Sequence, residues 1–486
     1  MKTTPTLYLA EYQTFSQADI EKCLGEYKAK APKIWEILKD FAHQEANHAF
    51  LRFKNKHTLK TQNYVGLIQV GGFCIEILPK ICGRDLKRED LKKHCDCKMK
   101  IPKLDRAKFQ DQVREFVELQ SNPKSPQKPS CSLCHAKQVL YNCLITLKDA
   151  PFKQSQFSEL SSAHLPLLDV FIQMFLEECA QLIKRGLKQD YLAISENRPF
   201  LKGKLEFAHH LKTNMIHKER FYTTSDEYSL DVAPNRLIKS TLKMLKTLVL
   251  SPLSQEKLHS VCFVFDEVNP SKNIDADFAK SAHASRFKEY ENLLAWCDLF
   301  LRNKSLTSYS GVERAYALLF PMEKLFESFV GHWLKRVDCH VRLQKQNRKY
   351  LMEAQNSQSC FAMFPDIVLK KDGETIILDT KWKLIQEQKG ISQDDLYQMW
   401  AYASKYAFLE QEQEQEQEQE QEQEQEQEQE QSTPQIQVWL VYPYQETEET
   451  QTLTFKASEL FGQGPIKLSM RFFPLGVFTD PPASGK

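Results

Sequence analysis

The sequence predicts a multidomain protein with an N-terminal mixed α/β domain, a mostly helical middle region and a C-terminal α/β domain. Three observations carry this expectation. A chain of 486 residues is longer than one ordinary hydrophobic core organises. Its composition, 42% hydrophobic and 27% charged with 30 Phe and 17 Tyr, supplies enough apolar material for several cores. Its apolar pattern changes from paired short strands near residue 70, to helical spacing through the middle third, to strands, a long helix and strands again after residue 336.

Residues 1–150 form the first predicted unit. Within it, YVGLIQVGGFCIEILPKI (64–81) reads as two short strands joined at Gly71-Gly72. From about 83 to 135 the chain turns polar and Lys-rich and ends in SNPKSPQKPS, the texture of an inserted arm. Helical periodicity returns at Val139–Leu147. In the middle unit, 151–310, it is strong from Leu165 to Leu187, and further helices are expected over Asn235–Leu250 and about 284–302. The segment NRPFLKGKLEF (197–207) reads as a turn entering a strand.

The last unit, 311–486, opens with a helical region over 311–336 and closes with strands at 435–443 and 466–473. Between them lies a Glu-Gln alternation, residues 410–431, whose eleven glutamates hide a net charge of +12 behind the overall +1. A helix there sets like charges four residues apart and has no apolar residue to bury, so the tract is expected to be a solvated insertion, disordered or weakly helical. The basic surplus of the remainder suits a phosphate-rich partner.

Several classes are excluded by pattern. The N-terminal segment MKTTPTLYLAEYQTFSQADI lacks the features of a targeting sequence, and no run of about 18 apolar residues follows, so a cytoplasmic protein with no membrane span is expected. Most of the thirteen cysteines stand singly in apolar surroundings, unlike a secreted disulfide framework. No G-x-x-x-x-G-K-[ST] segment occurs, so an NTP-driven motor would have to be another chain.

The segment FPDIVLKKDGETIILDTKWK (364–383) carries the chemistry. Asp372-Gly373 between two apolar runs is a two-residue hairpin signal. With those two residues as the loop, paired residue numbers sum to 745 and Asp366 lies opposite Asp379. Two carboxylates facing each other on buried strands repel unless a cation lies between them. Lys381, two residues beyond Asp379, shares its face. Acid, acid and lysine then converge as a Mg²⁺ site for phosphodiester hydrolysis, with Asp366 and Asp379 as ligands and Mn²⁺ as a substitute ion. Two further pieces would fit the same site. Glu327 in PMEKLFESFVGHWLK would complete the shell or orient water, although alone such a residue is more often an exposed helix residue. Gln398 and Tyr402, spaced i,i+4 in DLYQMWAYASKY, would support the site or a phosphate.

Glu327, Pro365-Asp366, Asp379-Thr380-Lys381 and Gln398 to Tyr402 together resemble the PD-(D/E)xK nuclease superfamily, in the version with a helical Q-x-x-x-Y element. FPDIVL, ILDTKWK, LYQMWAYA and VWLVYP (438–443) resemble the nuclease domain of the McrC family more closely, and GLIQVGGFCIEILPKI, Arg198–Phe207 with Lys202-Gly203-Lys204, and Asn235-Arg236-Leu237-Ile238-Lys239 extend the resemblance upstream. The 83–135 stretch and the Glu-Gln tract depart from it. The resemblance implies a restriction-endonuclease-like fold for 311–486 and DNA cleavage in a modification-dependent (5-methylcytosine-specific) restriction system. It also implies an AAA+ GTPase partner, McrB, that binds residues 1–150 and is stimulated by this chain. Two other functions stay open: a non-cleaving activator of a partner NTPase, and a PD-(D/E)xK nuclease of DNA repair or mobility.

One cysteine group has ligand-like spacing, Cys95-x-Cys97 with Cys131-x-x-Cys134, flanked by His94 and His135. A four-sulfur structural Zn²⁺ site would give the polar arm a fold that no hydrophobic core provides, and unligated thiols in a flexible arm are the other reading.

Overall fold

The computed structural model describes residues 5–80, 103–104, 106–118, 132–147, 151, 166–282, 290–302, 315–338, 340–343, 347–353, 359–371, 374–385, 391–421, 435–444, 451–455, 466–476 and 478–479. Among these, Tyr64–Val70 and Phe73–Leu78 form the expected antiparallel pair, with Val70 opposite Phe73. Thr6–Ala10 adds to it in parallel.

The fourth strand of this sheet comes from far along the chain. Ala315–Pro321 (AYALLFP) pairs antiparallel with Tyr64–Val70, and only from Met322 to Val337 is the chain helical. The helical region expected over 311–336 is therefore corrected: its start is a strand. A buried apolar run of seven residues carries no period that separates strand from helix, and pairing decides. The strand also lies beyond the boundary expected at 310, so the N-terminal sheet is completed by the C-terminal third.

The predicted inserted arm needs a correction as well. Arg106–Glu118 is a helix whose Phe109, Val113, Phe116 and Val117 form one buried stripe. Phe109 packs edge-on against Trp333 at 4.7 Å between ring centroids, and Phe116 packs likewise on Trp439. The many charged residues between these four concealed the stripe. Ser132–Ile145 follows as a second buried helix. Its Lys137 places Nζ 3.0 Å from Glu76 Oε2 in an ion pair closed to solvent, while Glu76 Oε1 accepts the Leu167 amide at 2.7 Å.

The middle region is helical at Leu167–Arg185, Ala233–Leu245, Pro252–Val264, Ile274–Ala282 and Glu291–Leu301. It also carries a three-stranded sheet of Asp190–Arg198, Phe221–Ser229 and Lys204–Leu205. Its motifs have structural roles. Gly203 has φ +76°, and a Cβ there would stand 2.4 Å from the Thr224 carbonyl oxygen. The buried Asn235 donates to the Lys188 and Leu230 carbonyls and accepts from Tyr290 Oη, and Arg236 makes a two-pronged bond to Asp277.

The C-terminal sheet has six strands in the order Val341–Leu343, Ile367–Lys371, Glu374–Thr380, Gln435–Pro443, Lys467–Phe473, Gln451–Thr454. Its central pairs are parallel, and helix Gln393–Gln421 makes the crossover from Glu374–Thr380 to Gln435–Pro443. That helix enters the Glu-Gln tract, of which residues 422–431 lie outside those described. One face of the sheet packs on helix Met322–Val337 through Ile376 and Leu378. The other packs on the crossover helix through Val368 and Ile377, against Met399 and Ala403. A single apolar cluster runs from Tyr8 through Phe109, Phe171, Trp296 and Phe329 to Trp439, so the three units share a core. No described helix is long and apolar enough to cross a membrane.

The joint between Tyr64–Val70 and Ala315–Pro321 is unusually tight at Gly66. Its φ is +133°, and a Cβ there would lie 2.1 Å from the Leu318 carbonyl oxygen. Gly66→Ala combines backbone strain with a backbone clash and is expected to destabilise the protein by about 2 kcal/mol or more. Urea denaturation of the full chain measures this, and an unchanged midpoint contradicts it.

Candidate active site

The hairpin pairs in the register that a two-residue loop dictates. Ile367 lies opposite Leu378, Val368 opposite Ile377, and Lys371 opposite Glu374. The loop residues Asp372 and Gly373 lie outside those described. One step beyond the last pair, Asp366 meets the end of the strand that carries Asp379. Asp366 Oδ2 accepts both the Thr380 amide and the Thr380 hydroxyl at 2.8 Å. These bonds fix one carboxylate oxygen and orient the other.

Asp379 is only 2% exposed. Its Oδ2 stands 2.5 Å from Lys381 Nζ, and its Oδ1 accepts from Gln398 Nε2 at 3.3 Å. Gln398 in turn accepts from Lys381 Nζ at 2.7 Å through Oε1 and donates to Tyr402 Oη at 2.9 Å. Tyr402 Oη donates to the Phe364 carbonyl at 3.3 Å, closing a ring back to the Asp366 strand. The i,i+4 spacing of Gln398 and Tyr402 places both on the helix face that covers the sheet. Lys381 is held in the sheet by its own amide, which donates to the Val441 carbonyl at 2.9 Å.

Glu327 arrives from helix Met322–Val337 on the opposite side of the sheet and is half-buried. Its charge is felt across the strand ends. Burial, with Asp379 next in effect, raises the Glu327 carboxyl above its ordinary value. Burial, then Glu327, pushes Asp366 up to about 6, although the Thr380 bonds oppose the rise. Burial, then Asp366, pushes Asp379 up to about 7 against the pull of Lys381. Each carboxylate thus disfavours the charge of another, the electrostatic situation that a cation relieves. Burial alone would lower Lys381, but Asp379 overrides it and raises the ammonium.

Asp366, Asp379, Lys381, Gln398 and Tyr402, singled out in the sequence, therefore come together, and Glu327 reaches them through its charge. Among the described residues no three His, Cys, Asp or Glu side chains form a ready-made cage for an ion. The two aspartates, whose charges oppose each other across the strand ends, fit Mg²⁺ nonetheless, because Mg²⁺ prefers oxygen donors and binds through one or two carboxylates.

Sequence reasoning missed Asp395 and Thr380. Asp395 is buried and reaches Lys383 Nζ at 2.6 Å and Lys381 Nζ at 3.7 Å. It lies three residues before Gln398 on the same helix, a spacing that was a usable signal. Of the four cysteines with zinc-like spacing, Cys95, Cys97 and Cys131 lie outside the described residues, and Cys134 is buried in helix Ser132–Ile145.

Known proteins resemble the chain in sequence and in fold. A family model described as McrBC 5-methylcytosine restriction system component matches residues 59–413. The type IV methyl-directed restriction enzyme EcoKMcrBC of Escherichia coli strain K12 is 22% identical over 252 residues, covering 49% of this chain and 71% of that protein. Among solved structures, the chain resembles a refined half-complex from a tetradecameric assembly of Thermococcus gammatolerans McrB AAA+ hexamers with bound McrC. The TM-score is 0.57 at 16% identity, covering 96% of this chain and 94% of the matched one, which shows the fold.

The carboxylate pair makes stability depend on pH in a defined sense. The unfolded aspartate value is about 3.9, and the folded values are raised to about 6 and 7. Their stabilising contribution is thus complete below about pH 4 and is lost as pH rises through the folded values. In chelator, melting temperature is expected to fall between pH 5 and pH 8 more steeply for wild type than for Asp379→Asn, and Mg²⁺ at pH 8 should restore it. Parallel wild-type and Asp379→Asn profiles would count against this arrangement.

Proposed function

Because the chain belongs to the McrBC 5-methylcytosine restriction system component family, and to its McrC type, we propose that it is the DNA endonuclease subunit of a modification-dependent restriction system. In this reading, Mg²⁺-dependent phosphodiester hydrolysis is licensed by an AAA+ GTPase partner of the McrB kind, whose GTP hydrolysis this chain stimulates. The observation that supports it best is the meeting of Asp366, Asp379 and Lys381 at one end of a buried hairpin, with Gln398 fixing the lysine. The 311–486 portion is then a PD-(D/E)xK domain, acting in the cytoplasm beside the DNA it cuts.

Each residue has a task that its surroundings support. Asp366 and Asp379 would hold the ion, with Thr380 fixing the presentation of Asp366. When bound, Mg²⁺ supplies a Lewis acid for the phosphodiester and lowers the pKa of a water. Lys381, kept cationic by Asp379, orients the attacking water and offsets charge developing on the phosphate. Gln398 holds Lys381 on the carboxylate face, and Tyr402 holds Gln398. Glu327 accepts a proton from water at the rim of the site, a role that suits a carboxyl whose value is raised.

The test pairs cleavage with partner turnover. In the assembled system on modified DNA, Asp379→Ala should abolish cleavage while partner GTP hydrolysis stays within about twofold, because the N-terminal sheet is untouched. Cleavage at near wild-type rate by folded Asp379→Ala defeats the assignment, and stimulation of GTP hydrolysis by a chain that never cuts favours the activator role.

Lys381→Arg keeps the charge but exchanges a compact ammonium for a wider planar fork. Lys381→Arg and Lys381→Ala should each lower single-turnover cleavage by at least about a hundredfold, with Mn²⁺ binding retained. Full cleavage by Lys381→Ala would place the lysine outside the reaction.

A further inference from the structure

Lys381 is followed by Trp382, a side chain only 2% exposed that is gripped at both ends by the N-terminal sheet. Its indole Nε1 donates to Glu11 Oε2 at 2.8 Å. Its carbonyl accepts from Lys80 Nζ, also at 2.8 Å. The Lys80 amide donates to the same Glu11 oxygen at 2.8 Å, so the two gripping residues are themselves tied. Glu11 lies just past strand Thr6–Ala10, and its amide continues the sheet by donating to the Leu78 carbonyl. Lys80 lies just past Phe73–Leu78.

The grip touches the site from two sides. Trp382 packs against Phe326, with ring centroids 5.3 Å apart, and Phe326 directly precedes Glu327. One helical turn earlier, Glu323 accepts from Asn63, and the Met322 amide donates to the Asn63 carbonyl beside strand Tyr64–Val70. The strand end bearing Lys381 and the helix bearing Glu327 are thus seated on the same sheet.

A carboxylate is an expensive way to hold an indole. Glu11 is 4% exposed, and among the described residues its Oε1 has no hydrogen-bond partner. Burial pushes its carboxyl up to about 7, against the pull of Lys80. Packing alone would be served by an apolar side chain at no such cost. What the acid adds is a fixed acceptor that sets where the Trp382 ring lies.

We propose that Glu11 and Lys80 are positioning residues for the reaction: by clamping Trp382 they hold Lys381 in register with Asp379 and Gln398. The N-terminal sheet is thereby a working part of the site as well as a neighbour of it. This rests on the nuclease reading above. Small displacements of a charge-stabilising group are costly to rate, so the clamp acts on turnover and leaves binding of DNA and metal alone.

The test uses the full chain assembled with its partner and single-turnover cleavage at saturating DNA. Trp382→Phe keeps an aromatic ring against Phe326 and removes the donor with part of the ring, a loss of volume that Glu11→Ala does not share. It and Glu11→Ala should each slow cleavage by about tenfold, with DNA half-saturation and Mn²⁺ affinity within about twofold of wild type. Glu11→Gln keeps an acceptor oxygen and should recover most of the rate lost in Glu11→Ala. The double variant Glu11→Ala with Trp382→Phe should be no slower than the slower single one, as expected for two ends of one bond.

A folded Trp382→Phe that cleaves at wild-type rate overturns the proposal, whether or not Glu11→Ala folds. So does a rate loss matched by an equal loss of DNA or Mn²⁺ binding, or a Glu11→Gln no faster than Glu11→Ala. Wild type that cuts no better than Asp379→Ala would instead overturn the nuclease reading itself, and the clamp with it.

Discussion

Asp366 and Asp379 are brought face to face by antiparallel pairing at a point where water is nearly excluded, and this costs free energy unless other groups answer their charge. Much of the surrounding structure is that answer. Thr380 gives Asp366 two donors from one residue, and Lys381 gives Asp379 an ammonium. Gln398 links the acid to the lysine from the far side, and Asp395 shares a charge between Lys381 and Lys383. The compensation is incomplete, since both aspartates and Glu327 stay above their ordinary values. In the proposed reading, a divalent cation is the partner that would answer the remaining charge.

Holding these groups in place requires both faces of the C-terminal sheet to be covered, and the covering elements come from distant parts of the chain. Helix Met322–Val337 covers one face and is itself backed by Phe109 of helix Arg106–Glu118. The crossover helix Gln393–Gln421 covers the other face and delivers Gln398, Tyr402 and Asp395 in a single stretch. The N-terminal sheet then closes around Trp382 and takes Ala315–Pro321 as its own edge. Separating the three units would expose a continuous apolar cluster, so the site inherits its rigidity from the whole core.

The middle region shows how a motif can mark architecture instead of chemistry. Lys202-Gly203-Lys204 surrounds a glycine that packs against a neighbouring strand where no Cβ fits. Asn235 and Arg236 satisfy buried carbonyls and the Asp277 carboxylate. These residues join helices to loops, and their side chains are consumed in doing so.

Local pattern was sufficient for the hairpin, its register and the meeting of Asp366, Asp379 and Lys381 at its end. A two-residue turn and a period of two leave no freedom about which side chains meet. The apolar stripes of Leu167–Arg185 and Ala233–Leu245, and the strands at 435–443 and 467–473, were equally legible. Helix Arg106–Glu118 was not, because four buried side chains among many charged ones leave little mean hydropathy to detect. Strand Ala315–Pro321 was not, because a short apolar run becomes a strand only when an edge is there to receive it, and that edge lies some 250 residues earlier. Glu11 and Lys80 could not be connected with Trp382 from sequence for the same reason. Contacts inside one hairpin follow from geometry that every chain obeys, whereas contacts between distant strands depend on which surfaces the folded core brings together.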